Sequence, residues 1–160
     1  VKDKLPKDEY PERNQAYHYL PYRFDSNLEK EYFANGLIPL MKDKQLEDYF
    51  NGDDTLTEVK IRCYRRVGKH WQYYGLYYPD FLVLSRDAEG KIDRICIIET
   101  KGEVYAAKFK ERLEFMRDVF VPKNNEAFHR KRFQFLYLED TISAEERMAK
   151  TLQMIKEFFI

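Results

Sequence analysis

Residues 77–103 read YYPDFLVLSRDAEGKIDRICIIETKGE. Two apolar runs, FLVLS and ICIIE, are joined by a polar segment that contains a glycine, and this pattern predicts a β-hairpin. Their continuous apolar character is typical of central strands that are covered on both faces. Three charged residues break the pattern, because Asp80 precedes the first run and Glu99 and Lys101 lie at the end of the second.

The position of the turn decides whether the two acids meet. If Glu89 and Gly90 form a two-residue turn, Asp80 lies opposite Glu99, and opposed side chains project to one face about 5 Å apart. Lys101 shares the face of Glu99 because strand side chains alternate with a period of two. A three-residue loop with Gly90 in the left-handed conformation is the alternative. That loop shifts the register by one residue, and the acids then meet only if the strands splay apart or a bulge corrects the shift.

Two carboxylates at this distance predict a bound cation. They repel each other and raise one pKa unless a positive charge lies between them. Carboxylate oxygens suit Mg²⁺, with Mn²⁺ as a substitute, and such an ion polarises a phosphodiester and activates water. Lys101 is then placed to orient that water or to stabilise charge that develops on phosphorus. Each residue alone is better explained by a solvent-facing acid or a surface ion pair, but a charged pair that ends a buried strand is expensive without a partner.

The rest of the chain predicts an α/β fold, with a mixed sheet flanked by helices. Capping residues at Asp25-Ser26 and a glycine at Gly36 predict one helix, and Ser143 with Glu146 caps another. The predicted order is α, short α, β, β, β, α, β, α. The segments outside the hairpin are a helix over 25–36, a short helix over 43–50, a strand in 57–66, a helix over 105–120 ended by Pro122, a strand in 132–140 and a helix over 143–159.

Composition limits the class of protein. A chain of 160 residues is predicted to form one domain, 1–160, with residues 1–25 as an extended arm. The 28 basic residues equal the 28 acidic ones, so any nucleic-acid partner needs a local basic surface. Cys63 and Cys96 fall in strand-like runs and are expected to be reduced, buried thiols in a cytoplasmic protein. No membrane span is predicted, and the first residue, Val1, fits a domain cut from a longer protein.

At these residues the sequence resembles the PD-(D/E)xK nuclease superfamily. Pro79-Asp80 matches the PD element and Glu99-Thr100-Lys101 matches ExK, with YYPDF and ETKG most similar to the endonuclease domain of type III restriction enzymes and related helicase-linked nucleases. The likeness extends from about residue 17 to residue 140. It implies a restriction-endonuclease-like fold with an α-β-β-β-α-β core. It also implies Mg²⁺-dependent hydrolysis of DNA phosphodiesters in a restriction or defence system.

The resemblance also implies roles for individual residues. Asp80 and Glu99 would be metal ligands together with the backbone carbonyl of Thr100, and Lys101 would be the catalytic lysine. Glu29 matches an accessory acid that many members place near the metal, although an acid in the first turn of a helix is favourable on its own. The chain has no phosphate-binding loop, so a helicase or translocase motor, or a methyltransferase subunit, would be a partner on the same or another polypeptide.

Basic and aromatic residues cluster in RCYRRVGKHWQYY, residues 62–74. Arg65, Arg66 and Lys69 are candidates for DNA phosphate contacts beside stacking surfaces, and Lys108 is a candidate on the helix that follows ExK. A charged edge strand that resists aggregation, or a solvated helix face, explains the same residues.

Two other functions fit parts of the pattern. One is a non-catalytic nuclease fold that docks DNA or a protein within a restriction assembly, in which case divalent metal binding is absent. The other is a glycosidase that uses Asp80 and Glu99 as its acid/base pair. Lys101 argues against the glycosidase, since an adjacent ammonium is expected to keep both acids ionised when one must be protonated.

Overall fold

The central hairpin of the predicted sheet is present. The structure is a computed structural model that describes residues 3–4, 23–24, 27–51 and 59–160. The predicted arm 1–25 lies outside the described residues, apart from two short strands, and so does the predicted cap Asp25-Ser26.

The strands are β1 (Asp3–Lys4), β2 (Arg23–Phe24), β3 (Glu47–Phe50), β4 (Ile61–Val67), β5 (His70–Tyr77), β6 (Phe81–Arg86), β7 (Ile92–Lys101) and β8 (Phe133–Glu139). The helices are α1 (Asn27–Glu31), α2 (Ile38–Lys44), α3 (Glu103–Phe115), α4 (Val121–Ala127) and α5 (Ala144–Phe158), with π-helical turns at Tyr32–Leu37 and Met116–Phe120.

Four strands form a mixed sheet in the order β3-β6-β7-β8. The β3–β6 and β6–β7 pairs are antiparallel, and β7 and β8 are parallel because the helical segment from α3 to α4 connects them. Among the described strands, β4 and β5 pair only with each other. The predicted α/β class, a mixed sheet flanked by helices, is confirmed.

The register of β6 and β7 is the one that places Asp80 opposite Glu99, since Phe81 pairs with Ile98 and Leu82 with Ile97. The predicted two-residue turn is wrong. Gly90 has a φ of +82° and its N–H donates to the carbonyl of Asp87, so the loop is the three-residue alternative.

A β-bulge restores the register. Ser85 pairs with Arg94 and Arg86 pairs with Ile92, which leaves Asp93 as the additional residue of β7. The guanidinium of Arg130 binds both the carboxylate of Asp93, at 2.5 Å, and its backbone carbonyl, at 3.1 Å. The loop thus shifts the pairing by one residue and the bulge shifts it back before the strands reach the acids.

The sheet separates two hydrophobic cores. Phe81, Val83 and Ile98 face one core, which also contains side chains of α2 and α5. Leu82 and Ile97 face the other, beside α3, the second π-helical turn and β4. Residues of the two central strands therefore pack alternately to opposite sides. This explains why their sequences are continuously apolar rather than alternating.

The helical segments that begin at Asn27 and Glu103 continue past their predicted ends. Gly36 lies inside the first π-helical turn, where a Cβ would come 2.8 Å from the Sδ of Met148 in α5. The glycine therefore permits close helix packing, and the helix instead ends at Gln45, which has a φ of 55°. Pro122 is tolerated because it falls in the first turn of α4, directly after a π-helical turn, where its missing N–H is least costly.

The predicted short helix over 43–50 is wrong. Residues 47–50 form strand β3 at the edge of the sheet, with Asp48 and Phe50 buried and Glu47 and Tyr49 partly exposed. The alternation EDYF has the period of a strand, but the acid at a buried position hides it. The predicted order of elements also lacks β5 as a separate strand, although a charged edge strand is one explanation of residues 62–74.

Asp48 is fully buried, and neither carboxylate oxygen has a hydrogen-bond partner among the described residues. Burial raises its pKa well above 3.8. The folded protein therefore keeps the Asp48 proton at pH values at which the unfolded chain has lost it. As pH rises above about 4, the free energy of unfolding falls by up to about 1.4 kcal/mol per pH unit until the raised pKa is passed.

We expect Asp48→Asn to remove this dependence, because the amide does not titrate. Urea unfolding of the wild type and the variant at a series of pH values from 4 upward measures the difference. The variant gains stability relative to the wild type across that range. If the free energy of unfolding changes with pH in parallel for the two proteins, the assignment of the pH effect to Asp48 is contradicted.

Candidate active site

Asp80 and Glu99 meet where β6 begins and β7 ends. The backbone N–H and the hydroxyl of Thr100 both donate to Asp80 Oδ2, each at 3.0 Å. The backbone N–H of Asp80 donates in turn to Glu99 Oε2 at 3.3 Å. These bonds fix the two carboxyl groups relative to each other through the backbone, so their approach is a property of the hairpin.

Glu99 is fully buried and is bound from both sides. Its Oε2 accepts a hydrogen bond from the Tyr77 hydroxyl at 2.6 Å, and its Oε1 lies 2.5 Å from the Nζ of Lys101. The Lys101 ammonium also lies 5.3 Å from the centre of the Phe109 ring. One cation therefore already occupies a position against the glutamate, as expected where a buried carboxylate needs positive charge.

Burial controls the protonation of the pair. Burial raises the pKa of Glu99, and the charge of Asp80 raises it further, to about 8 despite the opposing effect of Lys101. Burial also raises the pKa of Asp80, against the lowering effects of Lys101 and of the Thr100 hydrogen bonds. The expectation that Lys101 keeps both acids ionised leaves out desolvation, which opposes the effect of the ammonium at both carboxyl groups.

Lys101 shows the opposite balance. Burial lowers its pKa, but the charges of Glu99, Asp80 and Glu29 outweigh burial and the net shift is upward. Lys101 is thus held as an ammonium by its acidic neighbours. Glu29, in the short helix α1, acts on Lys101 through its charge. Its predicted role as an accessory metal ligand stays a prediction, because among the described residues it does not join Asp80 and Glu99 in a three-acid group.

The donor set suits Mg²⁺ bound by few protein ligands. In the described part of the chain, no three His, Cys, Asp or Glu side chains converge into a group that could hold a metal ion. Asp80 and Glu99 thus form a pair. The Thr100 N–H donates to Asp80, so it points to the β6 side of strand β7. Because the N–H and C=O of one strand residue point to the same side, the Thr100 carbonyl also faces this pair of acids. Two carboxylates and one carbonyl fit an ion that keeps several waters.

A cleft of about 390 Å³ opens over Glu99 and Lys101. Lys108, predicted as a phosphate contact, lines this cleft, as do four polar residues that the sequence did not predict there: Tyr77, Tyr78, Tyr105 and Arg112. A sequence signal was present for two of them. Tyr77 and Tyr78 directly precede Pro79-Asp80, whereas Tyr105 and Arg112 are brought in only by the packing of α3.

Arg65, Arg66 and Lys69 lie near the tip of the β4–β5 hairpin and not in the cleft. Arg66 stacks on Trp71, with 5.4 Å from its guanidinium carbon to the ring centre, and Arg65 lies over Tyr74 at 5.3 Å. Seven residues separate the tip from the end of β5, which corresponds to roughly 20 Å of extended strand. The hairpin is an arm whose tip lies outside the cleft, and Arg65 forms an ion pair with Glu111 of α3 at 3.6 Å.

Comparisons with protein-family models, with curated proteins and with solved structures find no match for this chain. None of the described helices combines the length and the apolar character that a transmembrane span requires. Cys63 and Cys96 are buried and not disulfide-bonded, as predicted.

Proposed function

We propose that this chain is a Mg²⁺-dependent endonuclease domain that hydrolyses DNA phosphodiester bonds. The observation that carries the proposal is the convergence of Asp80, Glu99 and Lys101 at the ends of the central strands β6 and β7, beside a cleft with further cations. A restriction or helicase-linked system, as the resemblance implies, is part of the proposal.

Each residue has a separate part in the proposed reaction. Asp80, Glu99 and the Thr100 carbonyl would hold a magnesium ion, which would supply charge stabilisation at a phosphoryl oxygen. Lys101 then orients the attacking water or stabilises the negative charge that develops on phosphorus, and Tyr77 keeps the Glu99 carboxyl in place through its hydroxyl. Glu29 helps to hold Lys101 protonated.

Incubation of the purified protein with DNA and Mg²⁺, with and without EDTA, tests the proposal. We expect cleavage that EDTA stops and that Mn²⁺ restores. Absence of cleavage together with undetectable Mg²⁺ or Mn²⁺ binding in calorimetry would favour the non-catalytic docking module.

The glycosidase gains one supporting observation, the raised pKa of Glu99, which suits a general acid. Hydrolysis of glycosides that EDTA leaves unchanged would identify that chemistry.

The hairpin arm is part of the proposed DNA contact. The double variant Arg65→Ala, Arg66→Ala is expected to weaken DNA binding about tenfold, and to reduce the slope of log affinity against log salt by about two, because two phosphate contacts are lost. Titrations at several salt concentrations measure both effects. Lys156→Ala is the control, since Lys156 is exposed on α5, which packs on the opposite face of the sheet. An unchanged salt slope would show that the two arginines serve only the hairpin itself.

A further inference from the structure

Exposed aromatic rings border the cleft of the proposed active site. Tyr78 is 47% exposed and Tyr105 is 60% exposed, and both line the cleft that contains Glu99 and Lys101. Single exposed aromatic side chains are common on protein surfaces, but two beside one buried charged site are a local concentration. They lie on separate elements, since Tyr78 follows β5 and Tyr105 belongs to α3.

Cations continue from Tyr105 along the same helix. Lys108 and Arg112 also line the cleft, and seven residues of α3 from Tyr105 to Arg112 correspond to about 10 Å along the helix axis. Arg112 is held in position because its Nε donates to the carbonyl of Leu76 at 3.1 Å and its guanidinium lies over Tyr74. Gly75 leaves room for the guanidinium of Arg112, since a Cβ at residue 75 would come 3.0 Å from Arg112 Nη2.

Stacking rings beside phosphate-binding cations are the combination that binds single-stranded nucleic acid. In a duplex the faces of the bases are stacked on one another, so only the edges of the bases and the phosphates are accessible to a protein. Exposed tyrosine rings gain a stacking partner only when bases are unpaired. The cleft, at about 390 Å³, also matches a nucleotide-sized group better than the side of a duplex.

We infer that this cleft binds a single-stranded DNA segment, with Tyr78 and Tyr105 stacking on unpaired bases and Lys108 and Arg112 binding the flanking phosphates. The inference rests on the proposed nuclease function and names its substrate class: single-stranded DNA, or a single-stranded branch of a duplex. The bases are held on either side of the phosphate that faces Glu99 and Lys101.

Binding without cleavage tests the inference. The full chain in EDTA is titrated into a 12-nucleotide single strand that carries 2-aminopurine, and into the same strand annealed to its complement. We expect the single strand to bind about tenfold more tightly and its fluorescence to change through stacking. Tyr105→Ala should weaken single-strand binding about tenfold and reduce the fluorescence change, whereas Tyr105→Phe retains both. Phe128→Ala is the control, an aromatic 45% exposed that packs against Phe133 at the start of β8, away from the cleft.

Duplex binding as tight as single-strand binding, or no effect of Tyr105→Ala, overturns the inference. A cleavage assay with Mg²⁺ on the same two substrates tests the nuclease separately. Tyrosine-dependent binding of the single strand without any cleavage would remove the nuclease proposal and leave the single-strand site. Cleavage of both substrates with equal rates, unaffected by Tyr105→Ala, would leave the nuclease and remove the single-strand site.

Discussion

Asp80→Asn is expected to reduce Mg²⁺-dependent cleavage at least about a thousandfold and to leave the fold intact. The metal ligand loses its negative charge, and several kcal/mol of transition-state stabilisation correspond to this factor. The fold should survive because the amide oxygen of asparagine still accepts the hydrogen bonds that Thr100 donates to Asp80 at 3.0 Å. Cleavage rates at saturating DNA, together with thermal unfolding in EDTA, measure the two expectations.

The matched control is Asp87→Asn, at the other end of the same hairpin. Asp87 is exposed and its Oδ1 accepts the N–H groups of Glu89 and Lys91, a role that asparagine also fills. This variant should cleave at the wild-type rate. If Asp80→Asn retains more than about a tenth of the wild-type activity, Asp80 is not a ligand of a catalytic metal.

Lys101→Met is expected to lower the cleavage rate by about a hundredfold to a thousandfold, the usual cost of removing one group that stabilises developing charge. Methionine retains an unbranched apolar side chain, so the loss is restricted to the ammonium and its contact with the Phe109 ring. The ammonium of Lys101 lies 2.5 Å from Glu99 Oε1 in the wild type, so the variant leaves that oxygen without its cation. Mg²⁺ binding should therefore persist in this variant while cleavage falls.

Saturation with Mg²⁺ distinguishes two roles for Lys101. If the lysine acts on the reacting phosphate, the rate stays low at every Mg²⁺ concentration. If excess Mg²⁺ restores the wild-type rate, the ammonium only neutralises Glu99 and the catalytic role is wrong. Lys110→Met on the exposed side of α3 provides the control and should behave as the wild type.

Local patterns in the sequence were sufficient for much of the fold. The two apolar runs became β6 and β7, buried on both faces, and the Ser143 side chain caps α5 by accepting the N–H of Glu146 at 3.1 Å. These features depend on near neighbours in the chain, so propensity and periodicity report them directly.

Errors occurred where distant contacts override local preference. Gly36 has the composition of a helix stop, but the approach of Met148 makes it part of a continuous helical segment. Residues 47–50 have a charged, helix-compatible composition, yet pairing with β6 makes them a strand. Both cases follow one rule, since tertiary packing decides between local alternatives that differ by about 1 kcal/mol or less.

The candidate site shows the same division. Sequence alone determined which residues are the candidates for the proposed chemistry, Asp80, Glu99 and Lys101, because alternation along one strand and pairing across a hairpin relate them. Tertiary structure decided that they meet: the loop shifts the register by one residue, and the bulge at Asp93, bound by Arg130, shifts it back. It also decided which side chains surround them. Tyr105 and Arg112 reach the cleft only because α3 packs against Tyr77, and no spacing in a linear chain encodes a contact between separately folded elements.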